Sequence, residues 1–148
     1  MHTEYTRINR ILAGILFIFS FIVYFDTMAP TVSYWDCGEF IAVSYRLSVP
    51  HPPGSPLFLL LGRIMSMIPF NPDIAYRVNI LSPLSSALAV MFLYLTIVII
   101  VTHWRGKITS NNDALIAFGG AAVGALTFAF TDSHWFNAVE AEVYSMST

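Results

Sequence analysis

The sequence predicts an all-α integral membrane protein, and three observations lead to that prediction. Of the 148 residues, 56% are hydrophobic and only 11% are charged, whereas soluble domains usually carry about 25% charged residues. The mean hydropathy is +0.66. Uncharged segments long enough to cross a bilayer alternate with polar connections. A water-soluble fold needs a polar coat, and this chain has too little polar material to make one.

The first predicted span covers residues 8–28. Crossing a bilayer takes about 20 apolar residues, and this stretch supplies them if Arg10 extends its charge outward to the interface. A cleaved signal peptide has a similar length and charge and is the alternative. We favour an uncleaved anchor, because the small-residue site ending at Ala29 is followed by Pro30, which is a poor residue after a cleavage point.

Two further spans are predicted over residues 78–102 and 113–131, neither of which has a charged residue in its apolar body. Polar side chains at the start of the second span, including Asn79 and Ser82, indicate that this end faces protein or a wet cavity rather than lipid. The third span contains a small-residue stripe over residues 120–124, which is suited to close helix packing.

The outer loop over residues 29–77 contains a shorter apolar helix, predicted over residues 55–68. Its 14 residues rise about 21 Å, which is less than the hydrocarbon thickness of about 30 Å. Arg63 also falls in its middle. We therefore favour an interfacial or re-entrant helix over a span.

The charges fix an expected orientation. With three spans, the basic residues of the N-terminus and of the connection after the second span share one side, which the positive-inside rule makes cytoplasmic. The acids of the other two polar segments then lie on the periplasmic or luminal side. The basic residues are Arg7, Arg10, Arg105 and Lys107; the acids are Asp26, Asp36, Glu39, Asp73, Asp132, Glu140 and Glu142.

The end of the chain carries a further expectation. Residues 145–148 continue an apolar-aromatic run and provide no cap, basic tail or glycine stop. We expect residues 1–148 to be the N-terminal part of a larger multi-pass membrane domain with a cytoplasmic N-terminus.

Asp36 and Glu39 are the first candidate site residues. Three residues apart, they lie on the same side of a helical turn. Tyr34, Trp35 and Phe40 flank them, and partial desolvation by such neighbours raises a carboxylate pKa, so that the group can act as a general base on a hydroxyl. The alternative is a solvated loop that the two acids only hold together or cap.

His51 stands in a run of prolines over residues 50–56. Proline fixes φ and biases the preceding residue towards extended geometry, so the run holds His51 in a defined place before the interfacial helix. A hinge at the membrane surface and a histidine that contacts substrate are both compatible with this pattern.

Glu140 and Glu142 form a second acidic pair, on the same side as the first. Two residues apart, they point in different directions on a helix and in the same direction on a strand. Such a pair can hold a divalent ion or orient a phosphate group through it, but one pair is a weak metal signal. We therefore predict no cofactor and no metal site, with a divalent ion as the alternative.

Other functions receive little support from the sequence. It contains no Ser-His-Asp order, no glycine-rich phosphate loop and no zinc spacing. A net charge of −2 provides no basic surface for nucleic acid. Cys37 is the only cysteine, so no disulfide can form within the chain.

Three motifs occur together in a known family. The first is Asp-Cys-Gly-Glu-Phe-Ile-Ala over residues 36–42, the second is His-Pro-Pro-Gly-Ser-Pro-Leu over residues 51–57, and the third is Glu-Val-Tyr over residues 142–144. In this order, and with Arg77 opening the next span, they resemble the transmembrane protein O-mannosyltransferase-like family, formerly a domain of unknown function. That family is similar to the integral-membrane glycosyltransferases of the C type.

The resemblance implies a C-type glycosyltransferase fold with an interfacial helix in its first outer loop. It implies transfer of a sugar, with inversion, from a polyprenyl-phosphate donor to a hydroxyl of an acceptor protein or glycan on the non-cytoplasmic face. We expect the fragment alone to be inactive. The alternative is a non-catalytic membrane transport or assembly subunit whose acids bind a cation or a partner.

The resemblance also implies roles for individual residues. Asp36 becomes the general base, and Glu39 positions Asp36 or the acceptor. His51 and Arg77 help to seat the lipid phosphate, for which arginine is well suited. The remaining expected substrate-binding residues are Glu140, Glu142 and Tyr144.

Overall fold

The computed structural model describes residues 3–52 and 54–146, and every regular element in these ranges is helical. The all-α prediction is therefore confirmed for the described residues. The elements are α1 (Thr3–Asp26), α2 (Cys37–Arg46), α3 (Pro56–Met67), α4 (Ile74–Asn79), α5 (Leu81–Arg105), α6 (Asn111–Ala114), a π-helix (Leu115–Gly119), α7 (Gly120–Ala129), α8 (Asp132–Ala138) and a 3₁₀ helix (Val143–Met146).

Three helical stretches are long and apolar enough to cross a membrane: Glu4–Asp26, Ile74–Arg105 and Asn111–Ala129. α5 packs against both α1 and α7. Tyr5 donates a hydrogen bond to Asn111 Oδ1 at one end of the bundle (3.0 Å), and Tyr24 donates to the carbonyl of Ala129 at the other (2.8 Å). The first and third stretches therefore run in the same direction, with α5 antiparallel between them.

Four alanines form the buried face of the third stretch. Ala117, Ala121, Ala125 and Ala129 repeat every four residues, so they share one face of the helix, and all four are buried. The sequence predicts Gly120 and Gly124 at a packing surface. A Cβ at Gly124 would lie 3.4 Å from Ile97 Cδ1 in α5, whereas a Cβ at Gly120 would meet nothing within 4 Å, so the prediction holds for Gly124 and is wrong for Gly120. Of the expected small-residue stripe, Ala121 is the residue that is buried in the bundle.

The second stretch is interrupted at Ile80, between α4 and α5. Pro83 lies three residues into α5, and a proline has no N–H to bond the carbonyl of Asn79 four residues earlier. The break therefore falls where the sequence removes a backbone hydrogen bond. Asn79 and Ser82 are fully buried, so the polar start of this stretch faces protein.

The short helices α2, α3 and α4 pack together at the end of the bundle where α1 finishes. Their apolar side chains form a second core, which is separate from that of the long helices. Its buried members are Cys37, Phe40, Ile41, Phe58, Leu59, Ala75, Val78, Leu81 and Ala141. This core positions the loop residues that follow α1 and α2.

α3 begins with Pro56 at its first position, where the missing N–H costs no hydrogen bond. Its 12 residues rise about 18 Å, which is too short for a span. One face is buried against the neighbouring helices, and the other exposes Leu57, Leu60 and Ile64. The position of this helix at a membrane interface stays a prediction.

Gly62 allows α2 and α3 to approach closely. A Cβ at this position would lie 2.6 Å from Ser44 Oγ and 2.9 Å from Ser44 Cβ. We expect Gly62→Ala to lower the free energy of unfolding by about 1–3 kcal/mol, the usual cost of overpacking. Denaturant unfolding of the protein in detergent measures this loss.

Gly14→Ala provides the matched control in α1, because a Cβ there meets nothing within 4 Å. This variant should retain its stability or gain up to about 1 kcal/mol from the higher helix propensity of alanine. Equal unfolding midpoints for the two variants would show that the contact between Gly62 and Ser44 places no constraint on the fold.

Candidate functional site

Asp36 lies at the amino end of α2, in the N-cap position. Its carboxylate accepts no capping hydrogen bond from the helix, although aspartate often does so at this position. The preceding residue, Trp35, has a φ of 56°, a conformation that is costly for a bulky side chain. Strain of this kind clusters at functional sites, and here it falls directly before the candidate base.

Glu39 holds His51 through both of its carboxylate oxygens. Oε1 accepts a hydrogen bond from the backbone N–H of His51 (2.8 Å), and Oε2 lies 2.9 Å from the ring Nδ1. The hydrogen bonds from His51 lower the pKa of Glu39, and the hydrogen bond to Glu39 raises the pKa of His51. The expected partner of Glu39 is Asp36 or the acceptor, whereas the contact observed in the structure is with His51.

The carboxylate of Asp36 faces the imidazole ring of His51 at a distance longer than that of a hydrogen bond. His51 Nε2 lies 3.9 Å from Asp36 Oδ2, and the side chains are 49% and 56% exposed, respectively. The sequence suggests that Tyr34, Trp35 and Phe40 partly desolvate Asp36 and Glu39 and raise a carboxylate pKa. That expectation is wrong for Glu39, whose pKa is lowered. Phe40 is buried, but Tyr34 and Trp35 are 83% and 90% exposed and leave the Asp36 carboxylate accessible to a substrate.

Glu140 and Glu142 are both largely buried, on a turn that follows α8. The backbone N–H of Glu142 donates to the carbonyl of Glu140 (2.8 Å) and to Ser82 Oγ (3.3 Å). Neither the helical nor the strand alternative therefore applies. Burial raises the pKa of Glu142, and the nearby carboxylates of Glu140 and Asp36 raise it further. Glu142 thus belongs electrostatically to the group around Asp36.

Arg77 contacts a different part of the fold. Its Nη1 donates to the carbonyls of Ser66 (2.7 Å) and Ile68 (3.3 Å) at the end of α3, whereas His51 precedes the start of α3. Arg77 therefore bonds the carboxyl end of this helix, which is about 18 Å long, whereas His51 lies in the segment before its amino end. A role for Arg77 in phosphate binding stays a prediction.

Two other predicted features remain untested. Tyr144 lies on the 3₁₀ helix and is 61% exposed, and its role in substrate binding stays a prediction. Pro53, in the proline run, and residues 147–148 lie outside the described residues.

Asn79 is a positioning residue that the sequence does not single out for the site. Its side-chain amide donates to the carbonyls of Ala29 and Thr31, both at 2.9 Å, and its Oδ1 lies 3.8 Å from the Sγ of Cys37. A single buried side chain thus ties the loop before Asp36 to α4. In the sequence, Asn79 is a polar residue at the start of an apolar stretch. This pattern indicates that its side chain faces protein, but it does not identify the groups that the side chain bonds.

Asp36, Glu39 and His51 each offer one metal-ligand atom, and these atoms lie within 4.8 Å of one another. Divalent ions bind such oxygen and nitrogen atoms at about 2.0–2.6 Å, so a small inward shift would let one ion reach all three. Glu39 and His51 already bond each other, and a metal would have to replace the proton between them. The prediction that no metal is used stays a prediction.

The family described as "Protein O-mannosyl-transferase TMEM260 N-terminal domain" matches residues 36–148. The chain belongs to this family. The match begins at Asp36 and includes Glu39, His51, Glu140 and Glu142, so the residues that form the site all lie within the family region. The family resemblance drawn from the three motifs is confirmed.

Two curated relatives carry the corresponding name. "Protein O-mannosyl-transferase tmem260" of Dictyostelium discoideum is 35% identical over 136 residues, which cover 90% of this chain and 15% of the relative. "Protein O-mannosyl-transferase TMEM260" of Mus musculus is 33% identical over 113 residues, which cover 76% of this chain and 14% of the relative. The chain thus spans about 15% of the length of these TMEM260 relatives. No solved structure matches it.

The contact between Glu39 and His51 predicts a specific pH dependence. Because the pKa of His51 is raised, its contact with Glu39 stabilises the fold fully below about pH 6.5, and this stabilisation is lost as pH rises through the raised pKa. Because the pKa of Glu39 is lowered, the stabilisation is present above about pH 4.3 and is lost as pH falls through the lowered pKa. The contact should therefore be strongest between about pH 4.3 and somewhat above pH 6.5.

NMR titration of labelled histidine rings measures this dependence, with the His51 signal assigned by its loss in His51→Gln. We expect the wild-type His51 pKa to lie above about 6.5 and to fall in Glu39→Gln, because the anionic partner is gone. Glu4→Gln removes an exposed acid from the far end of the bundle and should leave the titration unchanged. An unaltered His51 pKa in Glu39→Gln would contradict the hydrogen bond between them.

Proposed function

We propose that this chain supplies the acceptor-activating part of a membrane glycosyltransferase site, with Asp36 as the general base. The observation that carries the proposal is the Asp36 carboxylate itself. It is half exposed, is not used as a helix cap, and lies 3.9 Å from a histidine that Glu39 holds in place. An accessible carboxylate in a defined position is what abstraction of a hydroxyl proton requires.

In the proposed reaction, an acceptor hydroxyl approaches the open side of Asp36. Asp36 takes the hydroxyl proton as the acceptor oxygen bonds to the anomeric carbon of the sugar. The bond between that carbon and the donor phosphate breaks on the opposite face, the phosphate leaves with the electron pair, and the configuration inverts. No metal enters this scheme.

His51 and Glu39 have supporting roles in the proposal. The raised pKa of His51 favours its protonated form, which can face a leaving phosphate as a cation. Glu39 fixes the position of His51 through two hydrogen bonds. Arg77, Glu140, Glu142 and Tyr144 are proposed to line the remainder of the substrate site in the full-length protein.

The proposed donor is a sugar on a polyprenyl phosphate, and the proposed site lies on the non-cytoplasmic face. The exposed apolar side of α3 supports an interfacial position next to a lipid-linked donor. The basic residues Arg105 and Lys107 stand at the opposite end of α5 from the acids, which supports this orientation under the positive-inside rule. The names of the relatives support mannose as the sugar and a protein hydroxyl as the acceptor.

Asp36→Asn in the full-length protein tests the proposal. We expect glycan transfer to fall by about 10²–10⁴-fold, the usual contribution of a general base, while the amount of folded protein stays unchanged. The transfer of labelled sugar to acceptor protein in membranes measures the first quantity, and immunoblotting measures the second.

Asp132→Asn is the matched control, because Asp132 is an exposed acid near the same end of the bundle that no part of the proposed scheme uses. It should retain full transfer activity. Normal transfer in Asp36→Asn, combined with a failure of transport or assembly, would favour the non-catalytic alternative. Loss of folded Asp36→Asn protein, with normal activity per remaining molecule, would assign Asp36 to holding the loop together.

A further inference from the structure

A basic cavity lies at the end of the bundle opposite the candidate site. It has a volume of about 200 Å³ and lies between the end of α5 and the start of the third long helix. Arg105 and Lys107 line one side, on either side of Gly106, whose φ of 93° turns the chain. Ala117 lines the other side and belongs to the π-helix. Segments of π-helix often mark functional sites within longer helices.

The walls of this cavity carry a positive charge that no other part of the described chain neutralises. Arg105 and Lys107 are exposed, and neither forms an ion pair within the described residues. Asp113 is the one acid on the wall, and it accepts hydrogen bonds from the backbone of Thr109 and Ser110 as part of a capping box. Two cations against one carboxylate leave a net positive charge.

Helix capping alone does not account for this arrangement. Basic residues in the last turn of a helix interact favourably with its dipole, and Arg105 gains this benefit in α5. Lys107, however, lies beyond the helix, on the connection to α6. Arg105 at the end of α5 and Lys107 on the connection therefore line the same cavity. Two cationic side chains on one cavity can both contact a single anion.

A second hollow adjoins the basic cavity. Its volume is about 300 Å³, it shares Thr102, Lys107 and Ile108 with the basic cavity, and it extends past His103 to Ile99. Ile99 is 66% exposed and lies six residues before Arg105, about 9 Å along α5 towards the middle of the span. Trp104 is 84% exposed beside Arg105, and tryptophan is typical of the headgroup level of a bilayer.

We propose that this pair of hollows binds an anionic phospholipid. Arg105 and Lys107 contact the headgroup phosphate, and the hollow beside Ile99 accepts the first part of an acyl chain. A soluble phosphate would use the basic cavity alone, whereas a phospholipid uses both hollows. The proposal does not depend on the transferase chemistry at the other end of the molecule.

The test compares lipid retention by variants of the full-length protein in nanodiscs. One set of discs contains phosphatidylcholine alone, and the other contains a mixture with phosphatidylglycerol. Native mass spectrometry measures the fraction of protein molecules that keep a bound phosphatidylglycerol after release from the nanodisc.

Each basic side chain near an anionic surface contributes about 1 kcal/mol, or about fivefold in affinity. We therefore expect Arg105→Gln to lower retention about fivefold, and the double variant with Lys107→Gln to lower it by up to about 25-fold.

Arg46→Gln is the charge-matched control, because Arg46 is an exposed arginine in the last turn of α2, at the other end of the bundle. It should retain the lipid as the wild type does. An equal loss in Arg46→Gln, or no loss in the double variant, would overturn the proposal.

A competition experiment needs no variant. Inorganic phosphate is added to the wild-type protein, and retention of phosphatidylglycerol is measured again. Displacement of the lipid at moderate phosphate concentration would assign the cavity to a soluble anion instead.

Discussion

The candidate site depends on two hydrogen bonds from His51 to the carboxylate of Glu39. They join residues that are 12 positions apart, across the turn where α2 ends at Leu47 in a left-handed conformation. Glu39 lies in the first turn of α2, where the helix dipole favours a negative charge. The position of Glu39 in its helix therefore favours the carboxylate form, as do the hydrogen bonds from His51. The ring of Phe40 also lies against that of His51, with their centroids 5.9 Å apart, but Glu39 forms the hydrogen bonds that orient the imidazole beside Asp36.

The carboxyl groups around His51 occupy different environments. Glu142 is buried, and burial raises its pKa, whereas the side chain of Asp36 is 56% exposed. Neighbouring acids in such different environments are typical of acid–base sites. His51 is the basic side chain beside Asp36 and Glu39, whereas the guanidinium of Arg77 bonds the carbonyls at the end of α3. The arrangement places one basic partner beside the accessible carboxylate of Asp36.

Local sequence patterns predicted the long apolar helices, the short α3 and the proximity of Asp36 to Glu39, since composition and spacing within one segment determine these features. They did not predict the hydrogen bonds between Glu39 and His51, because these residues are 12 positions apart. They also did not predict that Asn79 anchors the loop after α1, because that contact joins residues 50 positions apart. The spacing of the glycines in the third stretch suggested a packing face, and Gly124 does approach Ile97 of α5. The buried face also includes Ala117, Ala121, Ala125 and Ala129, a four-residue repeat that extends beyond the predicted stripe at both ends.

The long helices are held together differently from those of a soluble bundle. Only 22–28% of the residues in an apolar 18-residue window of each candidate span are buried, and side chains such as Ile18, Ile22 and Phe92 are more than half exposed. In lipid this exposure costs little, because the surroundings are as apolar as the side chains, and helix association depends on close packing and polar contacts. The close packing comes from the alanine face, and the polar contacts lie at the two ends, at Tyr5 and Tyr24. The register of the bundle is therefore fixed at its ends, and the end fixed by Tyr24 is the one that carries the candidate site.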